Sequence, residues 1–210
     1  SGTNGGGLTV VDAAQSPHRA DHEEVQETLS ALGPGLAYSR LLRLRSGEGS
    51  NQPNLLLECD LCQSWELNED LAYVFKLRPG IDWQNVAPVN GRPLNAQDVV
   101  FSLDRLKTPG WPNAPLLSSI GEATAIDDLT LQVELALEDA DALLALADGH
   151  VKIVAPEVVA MYGDLKDAPV VGTGPWVWQE TGPGGGMEFT RNSNYFENNL
   201  PFLEIGRAHV

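Results

Sequence analysis

"NGRPLNAQDVVFSLDRLK" (Asn90–Lys107) is the stretch on which the fold turns. From Asn95 onward it reads as one helix. Val99, Leu103 and Leu106 recur at helical spacing and make a single apolar stripe. Asn95 can accept a backbone N–H at the helix start, and Asp98, three residues on, suits the reciprocal half of a capping box. Upstream, "LAYVFKLRPG" (Leu71–Gly80) is a strong strand: Tyr73, Phe75 and Leu77 fall on one face, and Pro79-Gly80 ends it. Downstream, "DDLTLQVEL" (Asp127–Leu135) is a turn followed by strict alternation at Leu131, Val133 and Leu135. A capped helix between alternating strands argues for α+β or mixed α/β architecture and against an all-β sandwich or a helix bundle.

The rest of the chain keeps that irregular interleaving. "GLTVVDAA" (Gly7–Ala14) reads as a first strand. "DHEEVQETLSAL" (Asp21–Leu32) reads as a helix with acids in its first turn, stopped by "GPG" (Gly33–Gly35). "LAYSRLLRL" follows as helix or strand, and its dense basic cluster (Arg40–Arg45) alternates with leucine as a strand does. "SGEGSNQPN" (Ser46–Asn54) is a loop. "DADALLALA" (Asp139–Ala147) is a short helix, "VKIVAP" (Val151–Pro156) a strand, and "PEVVAMYG" (Pro156–Gly163) a helix that opens on Pro and stops at Gly. "GPWVWQETGPGGGMEFTRN" (Gly174–Asn192) reads as a hairpin around "GPGGG".

The totals exclude several classes. The 210 residues suffice for one large domain or two small ones, and 42% apolar with 20% charged is a folding composition. A formal net charge of −16 repels nucleic acid and anionic membrane, since phosphate contacts need Lys or Arg. The chain has no apolar run of the ~18 residues a membrane span requires. It opens on "SGTNGGG", a flexible linker composition.

No chemical motif assembles. Cys59 and Cys62, the only cysteines, stand in C-x-x-C spacing within "LECDLCQSWEL" (Leu57–Leu67). Glu58, Asp60 and Glu66 surround them and disfavour a thiolate, and "QSWEL" reads as a strand entry where a reactive thiol wants a helix start. A structural zinc site needs four ligands, and no second Cys pair exists. Two small buried side chains, or a local disulfide in an oxidising compartment, account for the pair. His22-Glu23-Glu24-Val25-Gln26 starts like H-E-x-x-H but carries Gln26 at the second ligand position. Gly172-Thr173-Gly174 lacks the third glycine of a phosphate cradle and leads into a strand. The acid pairs Glu23-Glu24, Asp127-Asp128 and Glu138-Asp139 sit at helix starts or turns, where capping explains them. No nucleophile, base and oxyanion donor come together, so the expectation is a non-enzyme without metal or cofactor.

Several segments, in order, resemble the family 5 extracellular solute-binding proteins, the peptide, dipeptide and nickel binders of ABC importers. "SWELNEDLAYVFKLRPGIDW" (Ser64–Trp83) resembles the block "SWE…D…Y.F.LR.GV.W". "NGRPLNAQDVVFSLDRL" resembles "DG.P.TAEDV.FS..R", the group's strongest signature. "AIDDLTLQVEL" (Ala125–Leu135), "VVGTGPWVWQE" (Val170–Glu180) and "FTRNSNYF" (Phe189–Phe196) are similar to "..DD.TV.F.L", "PVGTGPY" and "L.RN.DYW". "GGGLTVVDAAQSPH" (Gly5–His18) is similar to a weaker opening block. The family usually has a small apolar residue where Cys62 stands. "DWQNVAPVNGRPLN" (Asp82–Asn95) is longer than the usual "W.DG.P", which implies a surface loop insertion.

The resemblance implies a type II periplasmic-binding-protein fold: two hinged lobes that close on a small-molecule or peptide ligand. The expected division is a linker at 1–7, the N-terminal part of the first lobe at 8–45, the family's extra subdomain at 46–168 and a return into the first lobe at 169–203, with the second lobe missing. "EIGRAHV" (Glu204–Val210) resembles the translation of a sequencing adapter, so residues 204–210 are expected to be a non-native tail. Asp21, His22 and Glu23, just after the first strand, are the ligand-binding candidates, since an acid there could meet a peptide amine; a solvated helix start explains them equally well. Trp176 is a further candidate, with a core role preferred for it and for Trp178. The implied partners are the ligand and an ABC permease in the membrane, with no nucleic acid, and the protein is expected to be a monomer outside the cytoplasm, lipid-anchored or periplasmic. The alternatives are a thiol-disulfide or metal-binding protein using Cys59 and Cys62, and the ligand-sensing domain of a regulator.

Overall fold

The computed structural model describes residues 34–45, 55–139, 141–163, 165, 168–180, 187–202 and 205–208. The expected first strand and the helix at Asp21–Leu32 lie outside these. Nine strands and three α-helices are described: β1 Leu42–Leu44, β2 Leu57–Cys59, β3 Cys62–Leu67, β4 Ala72–Leu77, α1 Ala96–Leu106, β5 Ile120–Asp127, β6 Thr130–Leu135, α2 Ala142–Leu146, α3 Pro156–Tyr162, β7 Trp176–Glu180, β8 Met187–Arg191 and β9 Ile205–Ala208. Short 3-10 turns occupy Pro34–Ala37 and Ala114–Leu117. The mixture of helix and sheet is the one the sequence pattern implies.

The strands form three antiparallel sheets, ordered β1-β2, β3-β4-β6-β5 and β7-β8-β9. In the four-stranded sheet, Trp65 faces Phe75, Phe75 faces Leu131 and Leu131 faces Ala125. A second row runs through Leu67, Tyr73, Val133 and Ala123. These rows occupy alternate positions on each strand and so share one face. α1 packs on β5 and β6. Val99 and Leu103 are fully buried, and the capping box forms as predicted, with Asn95 Oδ1 accepting from Asp98 N–H and Asp98 Oδ2 from Asn95 N–H, both at 3.1 Å. One apolar core runs from Leu41 to Val171 and includes Phe75, Trp83, Leu103 and Ile153.

Two expectations change. "VKIVAP" joins no sheet, and its Pro156 opens α3. Ile153 N–H donates to Ser39 O (3.0 Å), yet Val154 N–H goes to the Ser102 hydroxyl (2.9 Å), so a helix side chain takes the bond that a neighbouring strand would. "DWQNVAPVNGRPLN" is no simple surface insertion: Gln84 and Val89 are 2% and 5% exposed. The segment folds on itself, with Val89 and Asn90 N–H both donating to Val86 O at 3.0 Å, and this tucks Gln84 inward.

Candidate functional site

Two points in the described part of the molecule each gather several buried polar groups. At the first, the loop Val170–Pro175 meets the 3-10 turn Pro34–Ala37. Gly174 N–H donates to Ala37 O (2.9 Å). The approach is so close that a Cβ on Gly172 would lie 1.9 Å from Ala37 O, and one on Gly174 2.6 Å from the Ala37 carbonyl carbon. The glycines of "GTG" are therefore required by backbone proximity. Gln84 locks the contact. Its Nε2 donates to Trp176 O (2.8 Å), with Gly174 O and Ala37 O at 3.3 and 3.4 Å, and its Oε1 accepts from Gly172 N–H (3.2 Å). Gln84 N–H also donates to Gly172 O (2.9 Å). Asn192 closes the other side, donating from Nδ2 to Gly174 O (2.9 Å) and from its backbone N–H to Pro175 O (2.8 Å).

At the second point, Arg92 makes a two-pronged bond to Asp98, 2.7 Å on each arm, and reaches Glu157 at the start of α3 through Nη2 (2.8 Å) and Nε. Trp83 Nε1 donates to Asp98 Oδ2 (3.2 Å), and the Arg92 guanidinium lies 5.7 Å from the Trp83 ring centroid. Asp98 is 2% exposed, a charge that stays buried because a guanidinium, an indole N–H and a helix N-terminus all face it. The hydrogen bond from Arg92 holds the Glu157 carboxyl below its usual range, with burial opposing. Ser102 fastens α1 to the segment before α3, accepting from Val154 N–H and donating to Asp98 O (2.8 Å).

Of the predicted ligand-binding residues, Asp21, His22 and Glu23 lie outside the described residues. Trp176 is 8% exposed in β7, its carbonyl held by Gln84; Trp178 stacks edge-on against Phe189, 5.3 Å between centroids. Cys59 and Cys62 are joined in a disulfide. Among the described residues no group of three or more His, Cys, Asp or Glu side chains could hold a metal ion, and no helix is long and apolar enough to cross a membrane. Asp127 and Asp139 cap their own turns, accepting from Leu129 and Asp141 N–H at 2.8 and 2.9 Å. Sequence reading missed Gln84, Arg92 and Asn192 as organising residues. The "RN" block carried a signal for Asn192; nothing local marked Gln84, whose partners Gly172 and Trp176 lie 88 and 92 positions away.

This scaffold is that of a type II binding protein. The chain resembles a solved A. tumefacien R10 protein, "the PBP/SBP MoaA in complex with mannopinic acid", with TM-score 0.70 and 30% identity over 83% of this chain and 34% of that one. It is 31% identical over 163 residues to the dipeptide-binding protein of Escherichia coli (68% of this chain, 29% of the relative). It is 27% identical over 187 residues to heme-binding protein A of Haemophilus influenzae (78% and 32%). Residues 57–205 match the family described as "Bacterial extracellular solute-binding proteins, family 5 Middle", and the chain belongs to that family. The family is one of binding proteins and is extracytoplasmic. The chain spans about a third of the length of the relatives it matches.

Proposed function

We propose that the chain is part of an extracytoplasmic substrate-binding protein of an ABC importer, which captures oligopeptides or a related small solute between two lobes and delivers them to a membrane permease. The observation that carries this is the family match over residues 57–205. It is supported by the residues of the matched blocks, which build one coherent scaffold: Trp83 and Asp98 at one node, Gly172, Gly174 and Asn192 at the other. In this reading the protein is a monomeric carrier and no enzyme, periplasmic or lipid-anchored. Residues 46–168 form the extra subdomain and 169–203 return to the first lobe. Asp21, His22 and Glu23 are assigned to ligand recognition, where an acid would pair with a peptide's N-terminal ammonium. Trp176 serves the lobe interior.

The test is a thermal-shift and calorimetry screen of the whole protein against di- to nonapeptides, heme, nickel chelates and sugar-acid conjugates. Saturable binding and a raised melting temperature with peptides are expected. Binding of another solute class with silence toward every peptide would overturn the peptide assignment and leave the carrier assignment standing. The 210 residues alone are expected to bind peptide more weakly than micromolar, because the contacts that close a cleft come from both lobes.

A further inference from the structure

The turn between Cys59 and Cys62 reaches further than two intervening residues require. Asp60 is 5% exposed and Leu61 fully buried. The turn is laced to the segment before β1: Asp60 and Cys62 N–H donate to Leu41 O at 3.2 and 3.4 Å, and Leu61 N–H to Arg40 O at 3.0 Å. Asp60 Oδ2 accepts from Arg40 N–H (2.8 Å), and its Oδ1 lies 3.7 Å from Arg43 Nη1. Arg43 in turn pairs with Glu58 (2.7 Å) and with Glu197 (2.9 Å), beyond β8. Arg78, just past β4, donates from Nε to Asp60 O (2.9 Å) and sits 5.9 Å from the ring centroid of Phe196. One covalently closed turn thus ties β1, the end of β4 and the segment 192–199 together.

We propose that the Cys59–Cys62 disulfide is a redox-sensitive clamp on this junction: closed, it holds Asp60 against Arg40 and Arg43 and so keeps Arg43 on Glu197; opened by a dithiol, it releases segment 192–199 while the four-stranded sheet and α1 stay folded. Burial raises the Asp60 carboxyl above its ordinary range, so the carboxylate gains hydration once the turn is free to open, and the crosslink opposes that. Cys62 is fully buried and Cys59 only in part, so the incoming thiolate attacks the Cys59 sulfur. The S–S bond breaks, Cys62 leaves as thiolate and takes a proton, and the second thiol of the reductant displaces Cys59. Two electrons and two protons pass to the protein, and the dithiol leaves as its own disulfide.

The experiment is hydrogen exchange by mass spectrometry on the folded chain before and after dithiothreitol, with alkylation to count free thiols. A Cys59→Ser/Cys62→Ser variant is the irreversible counterpart. Exchange in segments 41–44 and 192–199 is expected to rise about tenfold or more, with α1, β4 and β6 keeping their protection. Unchanged exchange at 192–199 with both thiols free would overturn the proposal. So would loss of protection throughout, since the bond would then hold the whole fold, or a bond that resists dithiothreitol in the folded chain.

Discussion

Replacing Gln84 with Ala tests the central claim about this scaffold, that one buried amide welds the "GTGPW" segment to the turn at 34–37. The residue is 2% exposed, so its partners have no ready access to bulk water. Its loss leaves Gly172 N–H without its 3.2 Å acceptor and Trp176 O without its 2.8 Å donor. Each stranded buried group costs about 1–3 kcal/mol, and the cavity adds to that. The Gly174 and Ala37 carbonyls lose only a 3.3 and a 3.4 Å contact and keep other donors, Asn192 Nδ2 and Gly174 N–H respectively. The two stranded groups alone sum to about 2–6 kcal/mol before the cavity, a large share of the roughly 5–15 kcal/mol typical of a domain. Urea unfolding followed by tryptophan fluorescence reads it directly. Gln63→Ala, an exposed glutamine on β3, is the matched control and should stay within about 0.5 kcal/mol. Gln84→Glu separates the two halves of the bond: the carboxylate still accepts from Gly172 N–H but faces the Trp176 carbonyl, so it should fail to rescue. A loss below about 1 kcal/mol for Gln84→Ala would refute the reasoning.

Gly172→Ala drives a Cβ to 1.9 Å from Ala37 O and should cost more than about 4 kcal/mol or abolish soluble expression, whereas Gly149→Ala, which meets nothing nearer than Arg40 Nη1 at 4.0 Å, should change thermal unfolding little. Glu157, held low by Arg92, contributes stability that is present above its unfolded pKa near 4.5 and lost as pH falls through the lower folded value. Glu157→Gln should flatten that acid limb by about 0.5–1 kcal/mol in pH-resolved unfolding, a figure already reduced because the side chain is 38% exposed. At a net charge of −16 the surface repels itself, so melting temperature should rise as sodium chloride shortens the screening length from about 10 Å at 0.1 M to about 3 Å at 1 M. The ion pairs of Arg43 and Arg92 weaken too, but each engages a carboxylate no more than 7% exposed, where screening is poor. A fall in melting temperature would mean that pairing outweighs repulsion.

Legibility in the sequence followed how local each signal was. α1, β4 and β6 were readable because their core faces repeat bulky apolar residues at a fixed period: Val99 and Leu103; Tyr73, Phe75 and Leu77; Leu131, Val133 and Leu135. β5 was not. Its partners to Val133 and Leu131 are the buried Ala123 and the half-buried Ala125, while the bulky Ile126 points outward, 58% exposed. Only Ile120 at its start is bulky and inward, 4% exposed; the alanines that follow give no alternation to detect, and α1 packs on them. The segment at 151–155 carried a strand composition, but Ser102 claimed its backbone. Capping at Asn95 and the turns at Asp127 and Asp139 were legible because side chain and partner lie within three residues. Gln84 was illegible for the opposite reason: a lone glutamine in a Pro- and Asn-rich loop acquires its role only when strands far along the chain return to it.

The residues that make the family match specific are spent on the scaffold. Asp98 is consumed by Arg92, Trp83 and the helix cap; Gly172 and Gly174 by the approach of Ala37; Asn192 by the Gly174 carbonyl; Ser102 by Val154. Of the polar groups in these blocks, the Thr173 hydroxyl is buried without a hydrogen-bond partner; the five residues just named are engaged within the scaffold. A signature built from such residues constrains how the elements cross and leaves recognition to positions free to vary. That is why matches of comparable strength run to proteins named for heme and for dipeptides, and to one solved with mannopinic acid. Specificity in this fold should therefore move by substitution at the proposed ligand positions Asp21, His22 and Glu23 without disturbing unfolding, while substitution at Asp98 or Gln84 should destabilise the protein without retuning it. Exchanging Asp21–Glu23 for Asn-Gln-Gln in the whole protein, and measuring ligand affinity and urea midpoint side by side, separates the two. Reduced affinity for ligands bearing a free amine at an unchanged midpoint is the expected result; a lowered midpoint with unaltered affinity would place those three residues in the scaffold as well.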